Sequence, residues 1–468
     1  MPGAAQGRPG RGAGRPKRGL RDALTAGFAT DLAAEVDALL GDGAADGVDL
    51  EALETAVRRR ALGLAARLAE GRLNADRSDG SPPWRSCAGC GGRAAYAGRR
   101  PKTVTTTLGP MRLERAYYHC AACRAGFHPR DRALGVDGTS LSPGVVRMTG
   151  LAAARTSFAE TASLLHDLAG LNVDAKQAER TAEALGRGIA ADERDAAPEP
   201  GRAPTMYLGM DGTGVPVRRA ERAGRAGKQA DGSARTREAK LVAVWAAATD
   251  AHGRELPERE PGSVSYSAAV ESAATRDVDA ELSPFARRVA REARRRGFDR
   301  ADRRVVLGDG APWIWSIADE LFPGAIQIVD LFHAKQHLWD VAKTVYGPGT
   351  DMAERWAKRR RDELDDGRLG ALLRALRRHG GSDEARRCIG YMRRNRHRMR
   401  YPAFRAAGLC VASGVVEAGC KHVVGTRFKR PGMHWSVAGA NAMAALRCCV
   451  LSNRFDDYWA RRQGRIAV

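Results

Sequence analysis

A chain of 468 residues and 50.3 kDa is long enough for two to four domains with buried cores, and excludes a small scaffold held by disulfides. Its 77 basic residues against 55 acidic ones leave a formal charge of +22 and a pI near 10.2, a balance foreign to an ordinary metabolic enzyme and suited to a polyanionic partner. Mean hydropathy is −0.41, and no stretch reaches the roughly 18–20 apolar residues that a spanning helix needs, which excludes an integral membrane protein.

The chain opens on MPGAAQGRPGRGAGRPKRGL, basic and rich in Gly and Pro with no apolar core, so residues 1–19 are expected to be a disordered tail rather than a secretory signal. From 20 to 77, apolar residues recur at helical spacing (Leu24, Phe28, Leu32, then Leu50, Leu53, Val57), interrupted by the Gly/Asp stretch 41–47. Residues 84–130 carry two CxxC pairs, Cys87/Cys90 and Cys120/Cys123, with 29 residues between them. Each pair offers two thiolates from one tight knuckle, and four thiolates satisfy tetrahedral Zn²⁺. The intervening KTVTTTLGPMRLERAYYHC alternates around Gly109-Pro110 as a hairpin would, so a zinc ribbon holding one Zn²⁺ is expected. Buried or redox-active cysteines are the competing reading. Nine cysteines without a signal peptide fit a reducing compartment, the bacterial cytoplasm.

Residues 142–192 read as helical. Within them Ser157–Leu168, Gly170-Leu-Asn172 and Asp174–Leu185 have helix-turn-helix spacing, which any pair of helices joined by a glycine shares. The run 193–204, ERDAAPEPGRAP, has the composition of a linker. Beyond it the period changes. Strands are expected at Thr205–Met210, Val215–Arg218, Lys240–Ala247, Arg303–Leu307 and Ala325–Val329, with helices at Phe285–Arg296, Trp313–Leu321 and Phe332–Val345. The order β-β-β-α-β-α-β-α is ribonuclease-H-like, and aspartates at the ends of neighbouring strands of such a sheet can meet at one edge. Asp211 and Asp309 have that placement, although Asp-Gly is also a turn dipeptide and recurs at Asp42, Asp46, Asp79, Asp137, Asp231 and Asp366. Two carboxylates held together suit a pair of Mg²⁺ or Mn²⁺ ions, which clamp the attacking and leaving oxygens of a phosphoryl transfer. Glu417, in a helical stretch capped by Ser413, is the candidate third ligand; alternatively it pairs with Lys421 at i+4.

The segments DGTGVP, GDGAPWIW, IVDLFHAKQHLWD and SGVVEAGCKHVVGTRFKRPGMHW, in that order, resemble the DDE transposases of bacterial insertion sequences, specifically the ISKra-type families related to the Mutator-like group. The resemblance spans roughly residues 211–454, and the double-CxxC module upstream is similar too. It implies a multidomain α+β chain: a ribonuclease-H-like core from 205 to 350, a helical insertion from 351 to 409, and a C-terminal part of the core from 410 to 460 that carries the catalytic Glu. It also implies that Asp211, Asp309 and Glu417 are the catalytic triad holding two metal ions. Asp330 and His333 resemble the (C/D)xxH signature of such enzymes; Asp330 as a helix N-cap is the alternative. The activity implied is cleavage at element ends and joining of the freed 3′-hydroxyl to target DNA, by a homo-oligomer assembled on double-stranded DNA in the cytoplasm, associated with the nucleoid.

Lys421, Arg427, Lys429, Arg430, His434 and Trp435 follow Glu417 closely and are expected to hold DNA, Trp435 by stacking on a displaced base. Three rival readings remain at this level. One is a zinc-containing DNA-binding protein derived from a transposase and catalytically silent. Another is a nuclease that only hydrolyses, and the third is a glycosidase with paired carboxylates, which leaves the +22 without purpose.

Overall fold

The computed structural model describes residues 18–40, 49–194, 203–223, 234–273, 281–412 and 414–467. The expected tail up to residue 17, the Gly/Asp break at 41–47, most of the linker and the Ser413 cap lie outside them. The chain is a multidomain α+β protein with two sheets and many helices, and no described helix is long and apolar enough to cross a membrane. The described residues fall into two units. One is built on the chain up to Thr149 together with Ala162–Asp174 and the residues from Arg462 on, the other on Gly150–Thr161 and Ala175–Arg461.

The first unit begins with helices α1 (Arg18–Leu40) and α2 (Leu50–Ala75), the latter capped by Asp49 accepting from Glu51 N. Four antiparallel strands follow: β1 (Trp84–Ser86), β2 (Arg93–Thr106), β3 (Gly109–Cys120) and β4 (Gly126–Phe127), paired in that order. The hairpin turn is Thr107-Leu108 rather than Gly109-Pro110. Thr106 pairs with Gly109, whose φ of +122° is readily available only to glycine, and Pro110 is already inside β3. Helix α2 is tied to β3 by Asn74, whose side-chain amide donates to Arg112 O and accepts from Glu114 N, both at 2.8 Å, and thus occupies the strand's free edge. Ala66, Val104, Met111, Leu113 and Val136 form the buried core beneath. Short helix α3 (Pro129–Ala133) leads on to α4 (Pro143–Ala153) and α5 (Phe158–Ala169). At the start of α5, within the Gly150–Thr161 stretch of the second unit, Ser157 and Glu160 close a reciprocal capping box: Ser157 Oγ accepts from Glu160 N, and Glu160 Oε2 accepts from Ser157 N.

The second unit takes in α6 (Ala175–Asp192). Glu193 just beyond it ion-pairs with Arg454 at 2.8 Å, so the start of the expected linker is packed structure. Strand β5 (Thr205–Pro216) then runs unbroken through Asp211, where two strands joined by a turn were expected. The cause lies across the ladder. Gly212 and Gly214 pair with Lys240 and Glu238 of β6 (Thr236–Thr249), and a Cβ on either glycine would run into Glu238 or Thr236. These glycines make room for neighbouring side chains and do not turn the chain. Strands β7 (Glu255–Arg259) and β8 (Ser265–Ala269) both pair antiparallel with β6.

Next come α7 (Pro284–Arg296), β9 (Arg303–Gly308), α8 (Pro312–Leu321), β10 (Ile326–Val329) and α9 (Leu331–Tyr346). Strand β9 lies parallel to β5, and β10 parallel to β9, giving the order β10-β9-β5-β6 with β7 and β8 beyond. Helices α10 (Asp351–Asp365), α11 (Leu369–Arg377), α12 (Asp383–Arg394) and α13 (Tyr401–Ala406) fill the region expected to be helical. Helix α14 (Gly414–Gly419) passes through a π-helical turn, Cys420–Gly425, into α15 (Thr426–Phe428). The buried helix α16 (Val437–Leu451) and α17 (Phe455–Ala467) end the chain. Buried Arg447 of α16 donates to His422 O, Val423 O and Thr426 Oγ1, supplying donors to carbonyls along the π-turn.

Candidate functional site: an acidic strand edge and a four-cysteine cluster

Strand register brings three aspartates side by side. Gly209 is the last β5 residue paired with β9, opposite Leu307, so Asp211 and Asp309 each lie two residues further on along adjacent parallel strands. The last β10–β9 pair is Val329 with Gly308, and Asp330 N donates to Gly308 O at 2.8 Å, which places Asp330 at the same edge. This is the C-terminal end of β9 and β10, level with the middle of β5, and open α/β sheets receive their ligands at the C-terminal ends of their parallel strands. The period of two puts Asp211 on the face of Gly209, and a Cβ on Gly209 would run into Val416 of α14. One helical turn beyond Val416, Cys420 lies beside the Asp211 carboxyl and favours its ionised form.

Asp211 is half-buried, and its Oδ1 accepts from Gly212 N at 2.6 Å. Burial pushes its carboxyl above the ordinary carboxylate range and the charge of Asp309 adds to this, against the Gly212 N–H, the Cys420 thiol and His333. Asp309 Oδ1 accepts from Ala311 N at 2.8 Å, while its main-chain oxygen accepts from Tyr391 Oη of α12 at 2.7 Å. Buried Asp330 caps α9, accepting from His333 N at 2.8 Å and facing His333 Nδ1 at 3.1 Å. Asp330 is thus the N-cap of α9, the alternative reading of this pair, and the same carboxylate oxygen also holds the His333 ring. The Asp330 hydrogen bond lifts the imidazole above its usual value, with further help from Asp309 and Asp211.

Glu417 is not gathered into this group. It is exposed on α14, one turn before Cys420. Among the described residues, the only set of three or more His, Cys, Asp or Glu whose ligand atoms all lie within 4.8 Å is Cys87, Cys90, Cys120 and Cys123. That set has the chemistry of a zinc site. Cys87 and Cys123 sulfurs lie 3.6 Å apart, as do those of Cys90 and Cys120. Each knuckle is closed by a residue in the left-handed region just after its second cysteine, Gly91 (φ +71°) and Arg124 (φ +61°). Backbone N–H groups of Gly89 and Cys90 hold the Cys87 thiol down at about 7, and the Cys123 N–H leads in lowering Cys120, whereas against the Ala125 N–H the neighbouring Cys90 and Cys87 push Cys123 up to about 12, the crowding of four sulfurs that a cation would relieve.

The expected DNA-contacting residues divide. Lys421 and His434 are exposed, and exposed Lys429 donates to Thr213 Oγ1 at 2.6 Å beside the acidic edge. Arg430 pairs with Glu160. Arg427 and Trp435 depart from expectation because both are buried. The Arg427 guanidinium lies 4.5 Å from the Phe158 ring centroid and 5.1 Å from that of Trp435, and donates to Ala153 O at 3.0 Å. The Trp435 indole donates to Phe428 O at 3.2 Å. Neither presents a face to nucleic acid; they are core.

Sequence reasoning missed Cys420, Tyr391 and Thr213. Cys420 stood in the segment bearing Glu417, four residues after Val416, a spacing that signals a shared helix face; Tyr391 gave no local signal, since its partner is 82 residues away. Set against family models and curated proteins, the chain matches none.

Proposed function

We propose that the chain is a DNA transposase of the DDE type, cutting strands at the ends of an insertion element and joining the 3′-hydroxyl ends to target DNA. The observation that carries this reading is the pairing of Asp211 with Asp309 at one level of adjacent parallel strands, with Asp330 and His333 beside them. The residues fit hard divalent cations. Burial and the charge of Asp309 raise the cost of ionising Asp211, and a cation held there would relieve it. Asp211 and Asp309 would hold the ions, with Glu417 brought in from α14 as third ligand. Bound there, a pair of Mg²⁺ or Mn²⁺ ions lowers the pKa of the attacking water or 3′-hydroxyl and offsets charge on the leaving oxygen. Tyr391 fixes the Asp309 main chain, Asp330 fixes His333, and Lys429 and Lys421 offer cations to phosphates flanking the scissile bond.

The mixed sheet, in which β6 runs antiparallel to both β5 and β8 while β5, β9 and β10 are parallel, supports the ribonuclease-H-like reading. The β2–β3 hairpin and the two cysteine knuckles support a zinc ribbon. A second reading, a catalytically silent zinc-containing DNA binder, is favoured by one observation, the exposure of Glu417 away from the aspartates.

The test uses DNA bearing the flanking element ends, with Mg²⁺, and compares the wild type with Asp211→Asn, Asp309→Asn and Glu417→Gln. The wild type cuts, while each variant binds the same DNA and loses cleavage by about a hundredfold or more. Three variants that still cut would overturn the site. A wild type that binds without cutting selects the second reading.

A further inference from the structure

On the second unit, away from the acidic strand edge, a cavity of about 240 Å³ opens between the end of α6, α7 and the residues following β8. Five arginines and three glutamates line it, an excess of two positive charges. Each glutamate already has an arginine. Arg288 forks onto Glu271 (Nε at 3.0 Å, Nη2 at 2.6 Å) and reaches Ser267 Oγ at 3.1 Å. Arg295 forks onto Glu292, and Glu193 pairs with Arg454. Of the other three lining guanidiniums, Arg287 donates to Leu282 O and lies 3.7 Å from Glu281, which leaves two. Arg291, half-buried on the α7 face between Arg288 and Arg295, makes no side-chain hydrogen bond or ion pair among the described residues, and neither does exposed Arg194. Burial, then the like charges of Arg288 and Arg194, disfavour the charged form of Arg291, with Glu271 and Glu193 opposing.

A planar guanidinium set in a recess among other guanidiniums, with the neighbouring carboxylates already engaged, is arranged for a tetrahedral oxyanion that takes two N–H donors from each fork. A monocarboxylate would leave one of the two excess charges unmatched. We propose that this cavity binds a phosphoryl dianion on Arg291 and Arg194, either free phosphate or the terminal 5′-phosphate of a nucleic-acid strand. The site is independent of the metal-binding reading, because it shares no residue with the acidic edge.

The test is calorimetric titration of the full-length, zinc-loaded chain without Mg²⁺, at constant ionic strength in chloride. Three probes are used: inorganic phosphate, the dinucleotide TpT, and the same dinucleotide with a 5′-phosphate. One phosphoryl group binds per chain, and Arg291→Gln weakens it by about tenfold or more. Arg291→Lys, which keeps the charge but not the fork, falls between. Exposed Arg194→Gln gives a second variant should Arg291→Gln fold poorly. Asp211→Asn leaves this binding unchanged, which separates it from the proposed catalytic site. Tighter binding of the 5′-phosphorylated dinucleotide than of phosphate assigns the site to a strand end. Binding of phosphate with no gain from the dinucleotide assigns it to the free anion. Phosphate heats no different from those of chloride, or binding that both arginine variants leave untouched, would overturn the proposal.

Discussion

Asp79 is a buried carboxylate of the first unit that serves several partners at once. Its Oδ2 accepts from Ala116 N at 2.8 Å, its Oδ1 from Arg99 at 2.9 Å, and Arg130 approaches to 3.4 Å. Burial alone would raise its pKa, but the Ala116 N–H and the two guanidiniums outweigh it and hold the carboxyl below the usual range. A carboxyl lowered on folding stabilises the native state above its unfolded pKa, near 3.9, and loses that contribution as pH falls through the folded value. Denaturant melts of the wild type should therefore weaken below about pH 4, and Asp79→Asn should flatten that slope while costing about 2–3 kcal/mol at pH 7, since Arg99 and Arg130 lose their shared anion. An identical acid limb in both proteins would contradict this. Arg427 poses the opposite question. As a DNA contact it would weaken binding without affecting the fold; as a buried cation between Phe158 and Trp435, Arg427→Ala should cost about 2–4 kcal/mol in urea unfolding. An unchanged unfolding midpoint would return it to the nucleic-acid face.

Among the elements, the cysteine knuckles and the π-helical turn show how short segments set up chemistry. Each knuckle needs only a CxxC and one residue that accepts positive φ, which is why the four ligands were legible from spacing alone. Buried Cys87 and Cys120 pack with Ala94, Ala116 and Tyr118, so an ion bound by the cysteines would hold the same hairpin end as the hydrophobic packing. Purified chain should carry one Zn²⁺. Its removal by a chelator, or Cys90→Ser with Cys123→Ser, should abolish the first unit's melting transition or shift it down by more than about 10 °C. Calorimetry decides, and a melt indifferent to chelation would contradict the zinc assignment. The π-turn was not legible. It depends on Arg447, some twenty residues downstream, supplying donors that the sequence of residues 420–425 does not announce.

Over the whole molecule, the acidic edge was legible to the extent that it rests on hydrophobic strands ending near acids, as at Asp309 and Asp330. Asp211 is instructive in the other direction. DGTGVP has turn composition, yet it continues β5 because β6 runs alongside it, and only the tertiary pairing reveals that Gly212 and Gly214 make room for Glu238 and Thr236. The burial of Arg427 and Trp435 was hidden for the same reason: Phe158, which lies under the Arg427 guanidinium and meets Trp435 edge to face, stands more than 260 residues earlier. Single residues drawn from one basic run thus serve opposite ends, Lys421 and His434 facing solvent and Arg427 facing the core. Transposase chemistry at this edge requires Asp211, Asp309 and Glu417 to share divalent ions when DNA is present. The most direct measurement is anomalous scattering from crystals of the full chain grown with an uncleaved element end and Mn²⁺. Two manganese peaks about 3.5–4 Å apart, bridged by Asp211 and Asp309 with Glu417 drawn in, are predicted; manganese absent from that edge, or bound there with Glu417 still facing solvent, would contradict it.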